Sequence, residues 1–207
     1  MRKKAIILDL DNTIYPVSAI GDKLFKSLFA LIEESGEYKG NLEEIKSRIM
    51  RQPFQVVAND FSFGERLVEA CLQLLSELTY EDKIKPFEGY EALKSIPCKK
   101  YLVTTGFTKL QHSKIKQLDI DKDFEVIFVV DPSQSELTKK DIFQKILAEH
   151  QYTPDEVLVV GDDLQSEIKA AKELGIETLL YNHNGEQPEV KGQATIHSFK
   201  ELVPYLN

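Results

Sequence analysis

The chain has 207 residues, 42% hydrophobic and 29% charged, with a formal net charge of -8. That length carries one sizeable core and is short for two full domains, and the composition is ordinary for a globular protein in water. The acidic balance excludes a general nucleic-acid binder, which needs a basic face; small phosphorylated ligands stay open, because a local cation overrides the global sign.

Cys71 and Cys98 lie far apart and form no CxxC pair. Two reduced, mostly buried thiols are expected, not a disulfide framework or a zinc site. Met1-Arg2-Lys3-Lys4 precedes an apolar run that is too short, and too soon acidic, for a signal peptide. No apolar stretch approaches the length of a membrane span. A cytoplasmic protein without a membrane partner is expected.

Ala5-Ile6-Ile7-Leu8 is a continuous apolar run, the pattern of a strand buried on both faces. Residues 17 to 85 then show no strong strand signal. Phe25, Leu28, Phe29 and Ile32 mark one amphipathic helix, Ile45 and Ile49 a second, and Leu67, Ala70, Cys71, Leu74 and Leu75 a third. Phe25, Phe29, Phe61 and Phe63 are expected in the core of this helical segment, which ends where Lys85-Pro86-Phe87-Glu88-Gly89 breaks the pattern. Further strands are predicted at Tyr101-Leu102-Val103, residues 126–130, residues 157–160 and residues 178–181, with a weak edge strand at residues 194–196. Ile142, Phe143, Ile146 and Leu147 recur at helical spacing, as do Ile168, Ala171 and Leu174, with Gly175 as C-cap. The polar stretch from Asn182 to Gln193 reads as a loop. Strands alternating with helices predict an α/β fold with a parallel sheet. The expected architecture is a Rossmann-like core, residues 1–16 and 86–207, with an all-helical cap, residues 17–85, inserted after the first strand.

Functional groups in such sheets gather at the carboxyl ends of the strands. Asp9-Leu10-Asp11-Asn12-Thr13 follows the first strand, Thr104-Thr105-Gly106 the second, Thr138-Lys139-Lys140 comes beyond the third, and Gly161-Asp162-Asp163 follows the fourth. Several carboxylates gathered after buried strands are costly without a cation. The histidines, His112, His150, His183 and His197, show no ligand spacing and are expected at the surface. Tyr15 is held apart from the other aromatics because it lies just past the acidic loop.

This order of motifs resembles the haloacid dehalogenase superfamily, in its phosphatase branch with a helical cap. DxDxT is matched by Asp9, Asp11 and Thr13, the strand-ending Ser or Thr by Thr104, and the GDD motif with its later acid by Asp162, Asp163 and Glu167. The opening Leu8-Asp9-Leu10-Asp11-Asn12-Thr13-Ile14-Tyr15-Pro16 is most similar to pyrimidine 5'-nucleotidase-like members. The resemblance implies a magnesium-dependent phosphomonoester hydrolase acting on a small phosphorylated metabolite, with a nucleoside 5'-monophosphate as one candidate. Asp9 is then the nucleophile that forms an aspartyl-phosphate, and Asp11 the general acid and base. Magnesium is placed among the carboxylate of Asp9, the backbone carbonyl of Asp11 and the carboxylate of Asp162. Asp163 is either a ligand or an acid behind them, and Glu167, where the family more often has Asp, orients the site, its longer side chain leaving a direct metal contact open. Thr13, Thr104 and the N–H groups of Thr105 and Gly106 are expected to bind phosphate at a helix start. The family's lysine falls nearest Lys139, with Lys140 as competitor.

Other readings make different demands. A phosphotransferase or phosphomutase would use the same aspartyl-phosphate. A dehalogenase of the family would lack Asp11. A receiver-like module would place its phosphorylated Asp after a later strand, and a retired binding module would lack one of the acids.

Overall fold

The computed structural model describes residues 2–206 apart from 186, 187 and 189. The core is a sheet of parallel strands, β1 (Ala5–Leu8), β2 (Lys99–Thr105), β3 (Val126–Val130), β4 (Val157–Gly161), β5 (Glu177–Tyr181) and β6 (Thr195–Ile196), in the order β3-β2-β1-β4-β5-β6. Each predicted strand is present. Part of the expected 182–193 loop, residues 186, 187 and 189, lies outside the described residues, as does Met1.

β1 explains why apolar runs carried the signal. Ile6 and Leu8 point into one core and Ala5 and Ile7 into another, because successive side chains of a strand alternate in direction. The first core continues into the helical segment; the second packs on the helices that follow β3 and β4. Both faces are covered, so polar residues have no place in the middle of the strand.

Between β1 and β2 the named elements are helical: α1 (Gly21–Leu24), α2 (Lys26–Ser35), α3 (Leu42–Ile49), α4 (Phe54–Asp60), α5 (Glu65–Glu77) and the short α6 (Tyr90–Lys94). Leu67, Cys71 and Leu75 fall on one buried stripe of α5, and Leu28, Phe29 and Ile32 on the facing stripe of α2. The Asn41 side chain accepts the Glu44 N–H and starts α3. The segment leaves and returns through adjacent chains, since the Phe87 N–H donates to the Ile14 carbonyl at 2.8 Å. After β2 come α7 (Thr108–Leu118), α8 (Lys139–His150) and α9 (Glu167–Glu173). Gly175, at φ +72°, closes the turn after α9 in the left-handed conformation. Among the described residues, no helix is long and apolar enough to cross a membrane.

The strand order reverses at β1. The chain adds β2 and β3 on one side of it, then crosses to add β4, β5 and β6 on the other. Leu8 stands level with Leu102 of β2 and Val160 of β4, so all three strands release their next residues at one edge. This crossover is where open α/β sheets leave a crevice for ligands.

Candidate active site

Asp9 leaves β1 with its N–H bonded to the Val160 carbonyl at 3.1 Å and its side chain buried. The crevice beside it runs between the sheet edge and the helical segment: Asp9, Thr104 and Asp162 form its floor, and Phe25, Met50 and Phe54 stand across from them.

Lys139 is the first residue of α8. Thr138 and Asp141 cap each other there, Asp141 Oδ2 accepting the Thr138 N–H at 2.8 Å, and this fixes the direction of the helix start. Lys139 Nζ lies 2.8 Å from Asp9 Oδ1 and 2.7 Å from Glu167 Oε2. Lys140, one residue on, pairs with Glu173 at 2.7 Å on the surface and does not reach the crevice. The two lysines, alternatives in sequence, are thus on different sides of the helix start.

Asp9, Asp162 and Glu167 each place a carboxylate oxygen within 4.8 Å of the others. Burial pushes the Asp9 carboxyl up to about 7 from an ordinary 3.8; the Lys139 ammonium pulls the other way, and Glu167 and Asp11 push further up. Burial, with Asp9 and Glu167 nearby, likewise raises Asp162 well above the carboxylate range. Lys139 is raised against the effect of its burial by the two carboxylates it touches. Glu167 thus stands in the acid cluster rather than behind it. Asp163, expected as ligand or supporting acid, is outside that cluster: its Oδ1 accepts the N–H groups of Gln165 at 2.7 Å and Ser166 at 3.2 Å and shapes the turn into α9.

Asp11 also lines the crevice, within a ring of donors. Lys114 Nζ is 2.9 Å from both of its oxygens, Tyr15 Oη donates to Oδ1 at 2.5 Å, and Gln111 Nε2 lies 3.0 Å from Oδ2. Burial alone would raise Asp11, but Lys114 and these hydrogen bonds bring its carboxyl below the usual range. Lys114 and Gln111 are beyond the motif reading, though a signal exists. They share the buried face of α7 with Leu110, Ile115 and Leu118, and polar residues on an apolar stripe need a partner.

The expected phosphate groups divide. Thr104 is buried on the crevice floor, its Oγ1 2.6 Å from Gln111 Nε2, and Thr105 and Gly106 line the wall. The Gly106 N–H, however, donates to the Val130 carbonyl at 3.0 Å, so it is committed to the sheet. The start of α7 holds an anion from the protein itself, since Asp131 Oδ2 accepts the Thr108 N–H at 2.8 Å. Thr13 is fully buried, its hydroxyl without a hydrogen-bond partner, and does not line the crevice. Asn12, at φ +56°, turns the chain so that Asn12 faces the crevice while Thr13 packs inward.

Comparison with known proteins gives the family and the fold. The family model for haloacid dehalogenase-like hydrolases matches residues 3–175. The chain is 26% identical to enolase-phosphatase E1 of Aquifex aeolicus over 96% of its length and 98% of that protein. It is 24% identical to pyrimidine 5'-nucleotidase PynA of Streptococcus pneumoniae over 52% of its length and 46% of that protein, a match spanning about half of each. In fold it is similar to the HAD-hydrolase YfnB from Bacillus subtilis, a structure bound to magnesium, with a TM-score of 0.67 at 20% identity and full coverage of both chains. With its family match spanning β1 through α9, the chain belongs to the haloacid dehalogenase-like hydrolases and is one of their phosphatase-type members.

Proposed function

We propose that the protein hydrolyses a small phosphomonoester through an aspartyl-phosphate on Asp9, with magnesium as its cofactor. The observation that carries this reading is one buried ammonium, Lys139, held between Asp9 and Glu167 with Asp162 beside them. Once ionised, as metal ligands must be, three carboxylates against that single cation leave two negative charges uncompensated, the amount a divalent ion balances. The donors are all carboxylate oxygens, the type magnesium takes. Asp9, Asp162 and Glu167 would hold it, and when bound it supplies the charge that lets an anionic phosphate approach an anionic nucleophile.

In the first half-reaction, Asp11 takes up a proton as the negative charge of the arriving phosphate offsets Lys114; an Asp9 oxygen then bonds to phosphorus as the bond to the leaving oxygen breaks, and Asp11 gives that oxygen the proton. In the second, water bonds to phosphorus, the Asp9–phosphorus bond breaks, and Asp11 takes the water's proton. Inorganic phosphate departs and both acids return to their starting states. Lys139, 2.8 Å from Asp9 Oδ1, favours the carboxylate form of Asp9 against its burial and fixes its direction, and Thr104 would offer its hydroxyl to a phosphate oxygen. Residues 17–85 act as the cap that covers the site and excludes water.

The apolar wall of Phe25, Met50 and Phe54 suits a substrate with a flat or apolar part beyond the phosphate. Together with the likeness to PynA over half the chain, it supports a pyrimidine nucleoside 5'-monophosphate as the first compound to try. The test is phosphate release from p-nitrophenyl phosphate, with and without magnesium, for wild type and Asp9→Asn, followed by a panel of phosphorylated metabolites. Turnover that ignores magnesium, or that survives Asp9→Asn, would overturn the reading.

A further inference from the structure

Lys114 is only 3% exposed, and a lysine is almost never buried so far unless paired. Its partner is Asp11, gripped through both oxygens at 2.9 Å. Tyr15 adds a hydrogen bond at 2.5 Å and Gln111 one at 3.0 Å, so both carboxylate oxygens are held from two sides. Gln111 Nε2 is also 2.6 Å from Thr104 Oγ1 and 3.2 Å from the Thr105 carbonyl, which ties Asp11 to the floor where phosphate would lie. Gly106 leaves room for this: a Cβ there would lie 3.0 Å from Gln111 Cδ. A core that needed only packing would be served as well by an apolar residue at position 114, without the cost of burying a charge.

We propose that Lys114 is a positioning residue that, with Gln111 and Tyr15, orients the Asp11 carboxyl for proton transfer to the leaving-group oxygen. The proposal rests on the hydrolase reading above. It makes the three side chains one unit, with Gln111 linking the proton-transfer group to the phosphate-binding hydroxyl of Thr104.

Leaving groups separate this from a structural role. The p-nitrophenolate ion departs without a proton, whereas an alkoxide needs one. The experiment compares kcat and KM on p-nitrophenyl phosphate and on the best alkyl phosphomonoester of a metabolite panel. Lys114→Met is expected to lower kcat on the alkyl substrate by ~10²-fold, the lower end of a general acid's contribution. KM should stay within ~3-fold, and kcat on the aryl substrate should fall by no more than ~5-fold. Lys114→Arg should restore most of the alkyl activity. Tyr15→Phe, which keeps the ion pair, should show a smaller loss in the same alkyl-selective direction. Thermal unfolding of each variant accompanies the kinetics; should Lys114→Met not fold, the alkyl-to-aryl ratios of Lys114→Arg and Tyr15→Phe decide. Equal losses on both substrates, or a change confined to KM, would overturn the proposal while leaving the hydrolase reading intact. A wild type that releases phosphate from neither substrate, or an Asp9→Asn variant that keeps both activities, would overturn the hydrolase reading and the proposal with it.

Discussion

Glu167 stands where a side chain at position 161 would be: a Cβ built on Gly161 would lie 2.2 Å from Glu167 Oε1 and 2.3 Å from its Cγ. The glycine at the end of β4 is therefore required by space rather than by backbone conformation. From that position Glu167 accepts the Asp163 N–H at 2.7 Å through Oε1 and the Lys139 ammonium at 2.7 Å through Oε2. Glutamate reaches one methylene further than the aspartate more usual in the family, and the missing Cβ gives that stem its room. Gly161→Ala is expected to displace the acid, lower stability by about 1–3 kcal/mol through overpacking, and weaken magnesium binding. Thermal unfolding and magnesium titration check it; unchanged values for both would show that Glu167 is not held by this contact.

The neighbouring lysines predict opposite outcomes. Lys139→Met leaves Asp9 and Glu167 buried without their cation, which should lower stability by about 3–5 kcal/mol and abolish measurable turnover. Lys140→Met removes an exposed pair with Glu173 and should leave stability and turnover unchanged. Unfolding curves and steady-state rates on the two variants decide; a Lys140→Met variant as inactive as Lys139→Met would contradict the placement.

Magnesium should stabilise the protein more as pH rises. Asp9 is raised from 3.8 to about 7 in the metal-free fold. The folded state therefore holds more protons than the unfolded chain between about pH 4 and 7, and stability without metal falls as pH rises through that window. A cation competes with those protons, because its ligands must be deprotonated. At a concentration ~100 times its dissociation constant, it should add about 2.7 kcal/mol, with a larger rise in Tm at pH 8 than at pH 5.5. Asp162→Asn should remove most of that rise. A rise equal at both pH values in wild type would count against the acid cluster as the binding site.

The sheet was legible because β1 and β4 are buried on both faces, so their sequences admit little but apolar residues before the acids at their ends. Asp9 and Asp162 stood out as acids at strand ends, and their grouping around one metal came with the family resemblance. What stayed hidden was hidden for physical reasons. α7 carries Gln111 and Lys114 on its buried face, which breaks the apolar periodicity that would reveal the helix. Thr13 fits its motif yet turns inward, because the left-handed Asn12 beside it redirects the chain, and a backbone angle leaves no mark on spacing. Lys139 and Lys140 differ only in direction, which the capping of α8 by Thr138 sets.

Asp131 offers a test of how α7 is held. Oδ2 accepts the N–H of Thr108 at 2.8 Å and its hydroxyl at 2.8 Å, and Oδ1 accepts the N–H of Ser133 at 3.0 Å and its hydroxyl at 2.6 Å. Burial would raise this carboxyl, but the hydrogen bonds from Ser133 and Thr108 together bring it below 3.8. A depressed carboxyl adds stability that is complete above the unfolded value and is lost as pH falls through the folded one. Asp131→Ala should therefore cost about 1–2 kcal/mol at pH 7, the size of a lost helix N-cap. The gap to wild type should be the same at pH 5 and shrink below about pH 4 as the wild type's own carboxylate becomes protonated. Because α7 carries Gln111 and Lys114 to Asp11, the variant should also turn over substrate more slowly. Urea unfolding at pH 7, 5 and 3 measures the gap, and one that stays constant or widens in acid would show that this carboxylate does not anchor the helix.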